Sequence, residues 1–545
     1  MNEWLNHLLI LPVVTPLMAG AAMLLIKDTH RLMRTTLGML SVAIQAAAAI
    51  GLLCLTAGAV PGEWTDGVGV YLLGDWPASI GIVIVADRLA AIMLALSVLL
   101  GAAALIYATA RWDRAGAHFH PLFQFLLMGL NGAFLTGDLF NLFVFFEVLL
   151  AASYGLMLHG SGTARVAAGL HYIAINLVAS FLLLIAIALI YGVTGTLNMA
   201  DLALQAGKLA GPDRRLFEAG AAILGVAFLI KAAAWPLNFW LPAAYGTACA
   251  PVAAIFAIMT KVGIYALLRL GSLLLPTGAP AAFGGSWMFP VGLATLLFAT
   301  IGILAVQQTE RLAGYCIIIS SGTLLAALGM PGVTLTGPAL FYLISSALAM
   351  GAFFMLIEMI ERTQPFGASL LAVSQESFDL DDPQSPDRSD DVVGVAIPAA
   401  MAFLGLAFIT CALLITGLPP LSGFIAKFAL LSAALQTLSE GASSLNVWLL
   451  MAAVLGSGMA AIMALGRAGI RMFWSVEDTI IPRLRISEAA PVATLLLSGV
   501  AIVIWAGPIM TYVDDAARSL DNPSSYINAV LGQPTIRLTT AGSTP

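Results

Sequence analysis

Apolar runs of about 20 residues, separated by short polar stretches, recur along the whole chain, and each is long enough to cross a hydrocarbon core as a helix. Set against the polar punctuation, they predict spans near 5–26, 35–56, 87–108, 121–136, 138–158, 166–191 and 216–245. Further spans fall near 249–273, 287–306, 312–330, 337–360, 393–436, 446–466 and 489–510, about fourteen in all. Two runs are long. Residues 216–245 contain Pro236 and residues 393–436 contain GLPPLSG, so each reads as one helix broken in the middle. Residues 57–86 alternate short apolar strands with Gly/Asp turns, which predicts a small hairpin. Residues 363–391 hold SQESFDLDDPQSPDRSDD, an acidic, Pro- and Ser-rich loop expected to be disordered. A single membrane domain over 1–510 and a polar tail over 511–545 follow.

Composition settles the solvent. The chain has 545 residues, 60% hydrophobic and 10% charged, against roughly 25% charged in a globular domain. The fold class is therefore an all-α polytopic membrane protein. No Lys or Arg precedes the first run, and positive charge follows it at Lys27, Arg31 and Arg34, so it is not read as a cleaved signal peptide. With the N-terminus outside, the inside loops collect those three with Arg111, Arg114, Arg165, Arg311, Arg362, Arg388, Arg467, Arg471, Arg483 and Arg485. The C-terminus then also lies outside. Splitting 393–436 into two full spans would put Arg467–Arg485 outside, against the positive-inside rule. Much of the net charge of −6 comes from the one acidic loop. Cys54, Cys249, Cys316 and Cys411 are scattered singly and read as small buried hydrophobes. There is no Gly-rich nucleotide loop, metal-ligand cluster or basic nucleic-acid footprint. No cofactor, metal or nucleic acid is expected, and no enzyme.

Four ionisable residues sit where charge is costly: Glu147, Lys231, Lys261 and Lys427. At 1.5 Å per residue, Glu147 lies about 13 Å inward from Asp138, and Lys261 about 18 Å inward from Cys249. An ionised side chain at that depth costs at least ~2.5–3.5 kcal/mol unless it faces protein, water or a counter-charge. Snorkelling fits poorly, since one four-carbon stem does not reach the interface from there. A fixed structural pair would use Glu147 once and leave the other lysines unsatisfied. An ion pathway accounts for the whole set.

The prolines belong to the same pattern. Pro236 removes a backbone bond near Ala232, so a helix ends just past Lys231, and its freed carbonyls favour a cation. Pro419, Pro420 and Gly423 break the other long run, with Lys427 one turn on. Two interrupted spans, each with a buried lysine, suggest internal repeats around a midplane ion site. A desolvated lysine gives up its proton more readily and a nearby carboxylate opposes this, so a Glu147–Lys231 pair is expected to work as a proton gate. His171 is a possible relay member or a packing residue. Ser320, Ser321, Thr323, Ser345 and Ser346 either hold a water chain or back-bond to their own helices.

The motifs GDLFNLFVFFEVLLAASYGL, FLIKAAAWPLNFWLPAAYGTACAPVAAIFAIMTKVGIYALLRL, ERLAGYCIIISSGTLLAALG and GLPPLSGFIAKF resemble the antiporter-like membrane subunits of respiratory complex I and of Mrp/Pha-type multisubunit cation/proton antiporters. The likeness is strongest to the D-type subunits of the latter and covers nearly all of 1–510. It implies fourteen helices with two inverted five-helix repeats, spans 4–8 (about 121–273) and 9–13 (about 287–466), and broken helices 7 and 12. It also implies a membrane-parallel file of charge through Glu147, Lys231, Lys261 and Lys427. Relatives typically carry histidine where this chain has Ser345, and many carry one at Asn238; Ser345, Ser346 and Asn238 are thus possible relay positions.

The resemblance implies a proton- and cation-translocating subunit of a Na⁺ or K⁺/H⁺ antiporter in the bacterial inner membrane, working with other subunits of a hetero-oligomer. The rival is a proton-pumping membrane subunit of a complex I-like NADH/quinone oxidoreductase. A scaffold whose charges no longer conduct is a third reading.

Overall fold

The computed structural model describes residues 6–27, 29–59, 64, 67–274, 287–331, 335–362, 399–440, 444–473 and 484–533. The acidic loop at 363–391 lies outside them. All fourteen predicted runs form helices where described, two of them interrupted. The first six are α1 (Leu11–Leu25), α2 (Arg31–Thr56), α3 (Arg88–Ala108), α4 (Phe119–Leu135), α5 (Leu139–Met157) and α6 (Thr163–Thr194). A short α7 (Met199–Ala206) leads to the broken seventh span, α8 (Gly211–Lys231) and α9 (Trp240–Thr247). Then come α10 (Ala250–Leu274), α11 (Met288–Ala305), α12 (Thr309–Leu328) and α13 (Thr336–Glu361). The broken twelfth span is α14 (Ala399–Thr416) and α15 (Ser422–Gln436), followed by α16 (Ser444–Phe473) and α17 (Ile486–Ile504). Eleven of these helices are individually long and apolar enough to cross a membrane.

The breaks recur five spans apart, at the fourth place of each five-span unit. An odd number of spans per unit means that the second unit starts from the opposite face, so the two are inverted. α10 and α13 each bury 89% of their most apolar stretch and α12 buries 83%, whereas α14 buries 33%. The first three therefore form the centre and the others turn a face outward.

Lipid tails are as apolar as leucine, so helices associate in a bilayer by close packing rather than by hydrophobicity. The α11–α12 contact shows how close. A Cβ on Gly292 would stand 2.2 Å from the Ala326 amide nitrogen, one on Gly322 2.9 Å from that of Leu296, and one on Gly329 2.4 Å from that of Phe289. Only glycine fits where one backbone lies on the next.

The two ends of the bundle differ. At one, Arg31 pairs with Asp113, Arg362 with Glu488 at 2.7 Å, and Trp112 Nε1 donates to Glu358 at 2.7 Å. Burial alone would raise the Asp113 carboxyl, but hydrogen bonds from His120 and Arg31 and the Arg31 charge hold it below the usual range. The expected hairpin is at the other end: β1 (Gly69–Leu72) pairs antiparallel with β2 (Val83–Ala86). Asp87 follows it, caps α3 by accepting from the Ala90 amide, and takes both arms of Arg269 at 2.6 and 2.7 Å. Both members of this ion pair are buried, so each depends on the other for its counter-charge.

The described part of the tail, to residue 533, is largely helical. A helix α18 (Ala506–Asp521) runs across the boundary drawn at 510, and α19 (Ser524–Leu531) follows. α18 buries Val513, Ala516, Ala517 and Leu520, one stripe at helical spacing, and packs on α13, while α19 packs on α7. Tyr526 of α19 stacks on Arg269, 5.0 Å from ring centre to guanidinium.

Candidate functional site

α8 ends at Lys231 because Ala233 takes a left-handed conformation (φ +54°), and the chain stays irregular through Pro236 until Trp240. The break is held from outside itself. The Trp235 amide donates to Thr295 of α11 at 2.9 Å. A Cβ on Gly263 of α10 would lie 2.6 Å from the Phe228 carbonyl and 2.7 Å from the Ala232 amide, so α10 presses directly on the end of α8.

Lys231 lies over the Phe146 ring, 5.5 Å from its centre, a favourable cation–π placement. It borders a cavity with about 20 Å³ open to the centre of a water molecule, lined by Phe146, Tyr172, Asn176, Trp240 and Tyr245 among others. The Trp240 Nε1 and Tyr245 hydroxyl are buried without protein partners, so the wall is polar enough to suit water. Glu147, next to Phe146 on α5, is half-buried, and its Oε1 is also without a partner. Among the described residues no ion pair within 4 Å joins Glu147 to Lys231, and the Phe146 ring is the α5 group in contact with the ammonium.

Lys261 sits at the centre, 2% exposed on α10. It donates to Ser320 Oγ of α12 at 2.8 Å, and Ser320 donates to Ser346 Oγ of α13 at 3.0 Å. Ser320 and Ser346 in turn line a cavity shared with Ser345, Gly423 and Lys427. Lys427 of α15 reaches back across the break to the end of α14, donating to the Thr416 carbonyl at 2.7 Å and the Ile415 carbonyl at 3.4 Å. The Ser345 and Ser422 hydroxyls share a hydrogen bond of 2.8 Å. Pro419 and Pro420 lie in the turn between α14 and α15, and Gly423 lies where a Cβ would meet the Leu414 carbonyl at 2.0 Å.

Two candidates fall away from this assembly. His171 is exposed on the outer side of α6, its Nδ1 bonded to the Ala167 carbonyl one turn back. Asn238 is buried in the first break with its Nδ2 unpartnered, and among the described residues its side chain joins no hydrogen-bond file. Sequence reasoning missed Ser422 and Thr416, which act through a hydroxyl and a carbonyl that no pattern advertises. It also missed the buried Asp87–Arg269 pair, because each residue lies near the end of a run, where charge is unremarkable.

Residues 136–460 match the family described as NADH:quinone oxidoreductase/Mrp antiporter, TM. The chain is 50% identical to a probable K⁺/H⁺ antiporter D-type subunit of Rhizobium meliloti, over 98% of this chain and 99% of that one. It is 33% identical to the corresponding Na⁺/H⁺ antiporter D-type subunit of Bacillus subtilis, over 97% of this chain and 100% of the relative. A chain of the Mrp complex from Dietzia sp. DQ12-45-1b superposes with a TM-score of 0.80 at 26% identity, over 97% of this chain and 100% of the other.

Proposed function

The chain belongs to the NADH:quinone oxidoreductase/Mrp antiporter transmembrane family, and from that premise we propose that it is the proton- and cation-translocating D-type subunit of a multisubunit K⁺/H⁺ or Na⁺/H⁺ antiporter. It works beside other membrane subunits, as its relatives do. The observation that carries the reading is the file from Lys261 through Ser320 to Ser346, ending at the cavity of Lys427. This file joins the last span of the first repeat to the broken span of the second.

In this reading Glu147 and Lys231 exchange a proton through the polar cavity beside Phe146. Lys261 takes it across the centre, and Ser320 and Ser346 hand it toward Lys427. Serine hydroxyls both donate and accept, so Ser320 and Ser346 pass the proton without a titrating side chain between the two lysines. The basic residues Arg31, Arg111, Arg362 and Arg485 gather at one end of the bundle, which supports a bacterial cell membrane topology with that end inside. The N- and C-termini are then both outside.

The test uses everted vesicles containing the whole complex, with K⁺- and Na⁺-dependent dissipation of a pH gradient as readout. Glu147→Ala, Lys231→Ala and Lys427→Ala are each expected to assemble and to lose exchange. Normal exchange in an assembled variant removes that residue from the path.

A further inference from the structure

The end of α14 presents two carbonyl oxygens to the Lys427 side chain. Thr416 and Ile415 are terminal residues of that helix, and their carbonyls have no intrahelical donor to accept from. Lys427 Nζ occupies both, at 2.7 and 3.4 Å. The cavity beside it has about 10 Å³ open to the centre of a water molecule, the room one water or one stripped monovalent ion needs. Ser345 stands on the cavity wall with its hydroxyl bonded to Ser422. Gly458 of α16 flanks the Lys427–Thr416 contact, where a Cβ would stand 3.4 Å from the Thr416 carbonyl and 3.5 Å from Lys427 Nζ. Among the described residues no carboxylate lines the cavity, so every oxygen offered is neutral.

We propose that this pocket at the second helix break is the binding site for the substrate cation, and that it takes K⁺ when the Lys427 ammonium withdraws from the two carbonyls. The inference rests on the antiporter function proposed above and names where its cation sits. An ammonium group and K⁺ have nearly the same radius, and carbonyl oxygens are the donors that replace the K⁺ hydration shell in selective filters. Oxygens spaced for an ammonium are too far apart to strip the smaller Na⁺ well. Two unit charges in contact repel strongly in a low-dielectric interior, so the pocket holds the ammonium or the free ion and not both. That exclusivity ties the position of Lys427 to cation occupancy.

The experiment titrates K⁺ and Na⁺ against exchange rate in everted vesicles with the whole complex, for wild type, Gly458→Ala and Ser345→Ala. The added methyl of Gly458→Ala makes only ordinary contacts, so the variant should assemble while filling the space beside Thr416. Each variant is expected to raise the half-saturating K⁺ concentration at least fivefold. Wild type should half-saturate at lower K⁺ than Na⁺, and K⁺ should raise the melting temperature of the purified complex more than Na⁺ does. Unchanged K⁺ half-saturation in both variants, or a wild-type preference for Na⁺, overturns the site while leaving the antiporter reading intact. Absence of any cation-dependent exchange in wild type overturns that reading and the site with it.

Discussion

Ser320→Ala isolates the joint between the two halves of the protein. Among the described residues, the Ser320 hydroxyl is the one hydrogen-bond acceptor of Lys261, and it is also the donor to Ser346. Lys261 is 2% exposed and Ser320 equally so, so bulk water does not take over either bond without entering the core. A hydrogen bond to a charged group is worth about 1.5–3 kcal/mol. If proton hand-over from Lys261 passes through that bond, its loss slows exchange roughly 10- to 150-fold at about 1.36 kcal/mol per decade. Ser346→Ala removes only the neutral link beyond it, about 1 kcal/mol and roughly fivefold. Ser320→Thr keeps the hydroxyl and should retain most of the rate. The assay is the initial rate of K⁺-dependent pH-gradient collapse in everted vesicles, normalised to assembled complex. A Ser320→Ala complex that assembles and runs at the wild-type rate refutes the serine file. Equal losses in Ser320→Ala and Ser320→Thr would refute it too, since only packing would then be at stake.

Asp87→Asn keeps the cap on α3 but leaves Arg269 charged and unpaired in the core; we expect about 3–5 kcal/mol of destabilisation, and Asp87→Asn combined with Arg269→Gln should recover much of it, read as melting temperature in detergent. Gly292→Ala puts a methyl within 2.2 Å of the Ala326 backbone nitrogen, which no rotamer relieves; the α11–α12 contact should open and the yield of assembled complex should fall by more than half on native gels. Asp113 is held below its ordinary value in the folded protein, so its contribution is complete above about pH 4 and is lost as pH falls through the folded value. Wild type should therefore lose melting temperature more steeply than Asp113→Asn on acidification below pH 4, and parallel curves would contradict the pairing with Arg31 and His120.

Much of this site was legible in the residues because a bilayer penalises charge one residue at a time. Glu147, Lys231, Lys261 and Lys427 each stood out alone. The helix breaks were legible for a similar reason, since Pro236 and the Pro419–Pro420 pair cannot continue a helical ladder. Where the reading ran out, a relation between two elements was at issue. The pattern paired Glu147 with Lys231 but did not show that the Phe146 ring lies against the ammonium. That His171 lies on an exposed face of α6, bonded to the Ala167 carbonyl, depends on the rotation of that helix. In α18 the apolar stripe was hidden by the acidic and basic residues interleaved with it.

The sequence by itself determined the solvent, the number of spans, the two interruptions and the four buried charges. Each follows from the length of an apolar run or the cost of one group within it. Only the tertiary structure decided which charges meet which partners. Lys261 finds Ser320 across 59 residues, Arg269 finds Asp87 across 182, and Lys427 turns back to the carbonyl of Thr416. In a bilayer, hydrophobicity does not tell a lipid-facing surface from a helix-facing one. The rotation of each helix, and with it every pairwise contact, is fixed by close packing at positions such as Gly263, Gly292 and Gly322.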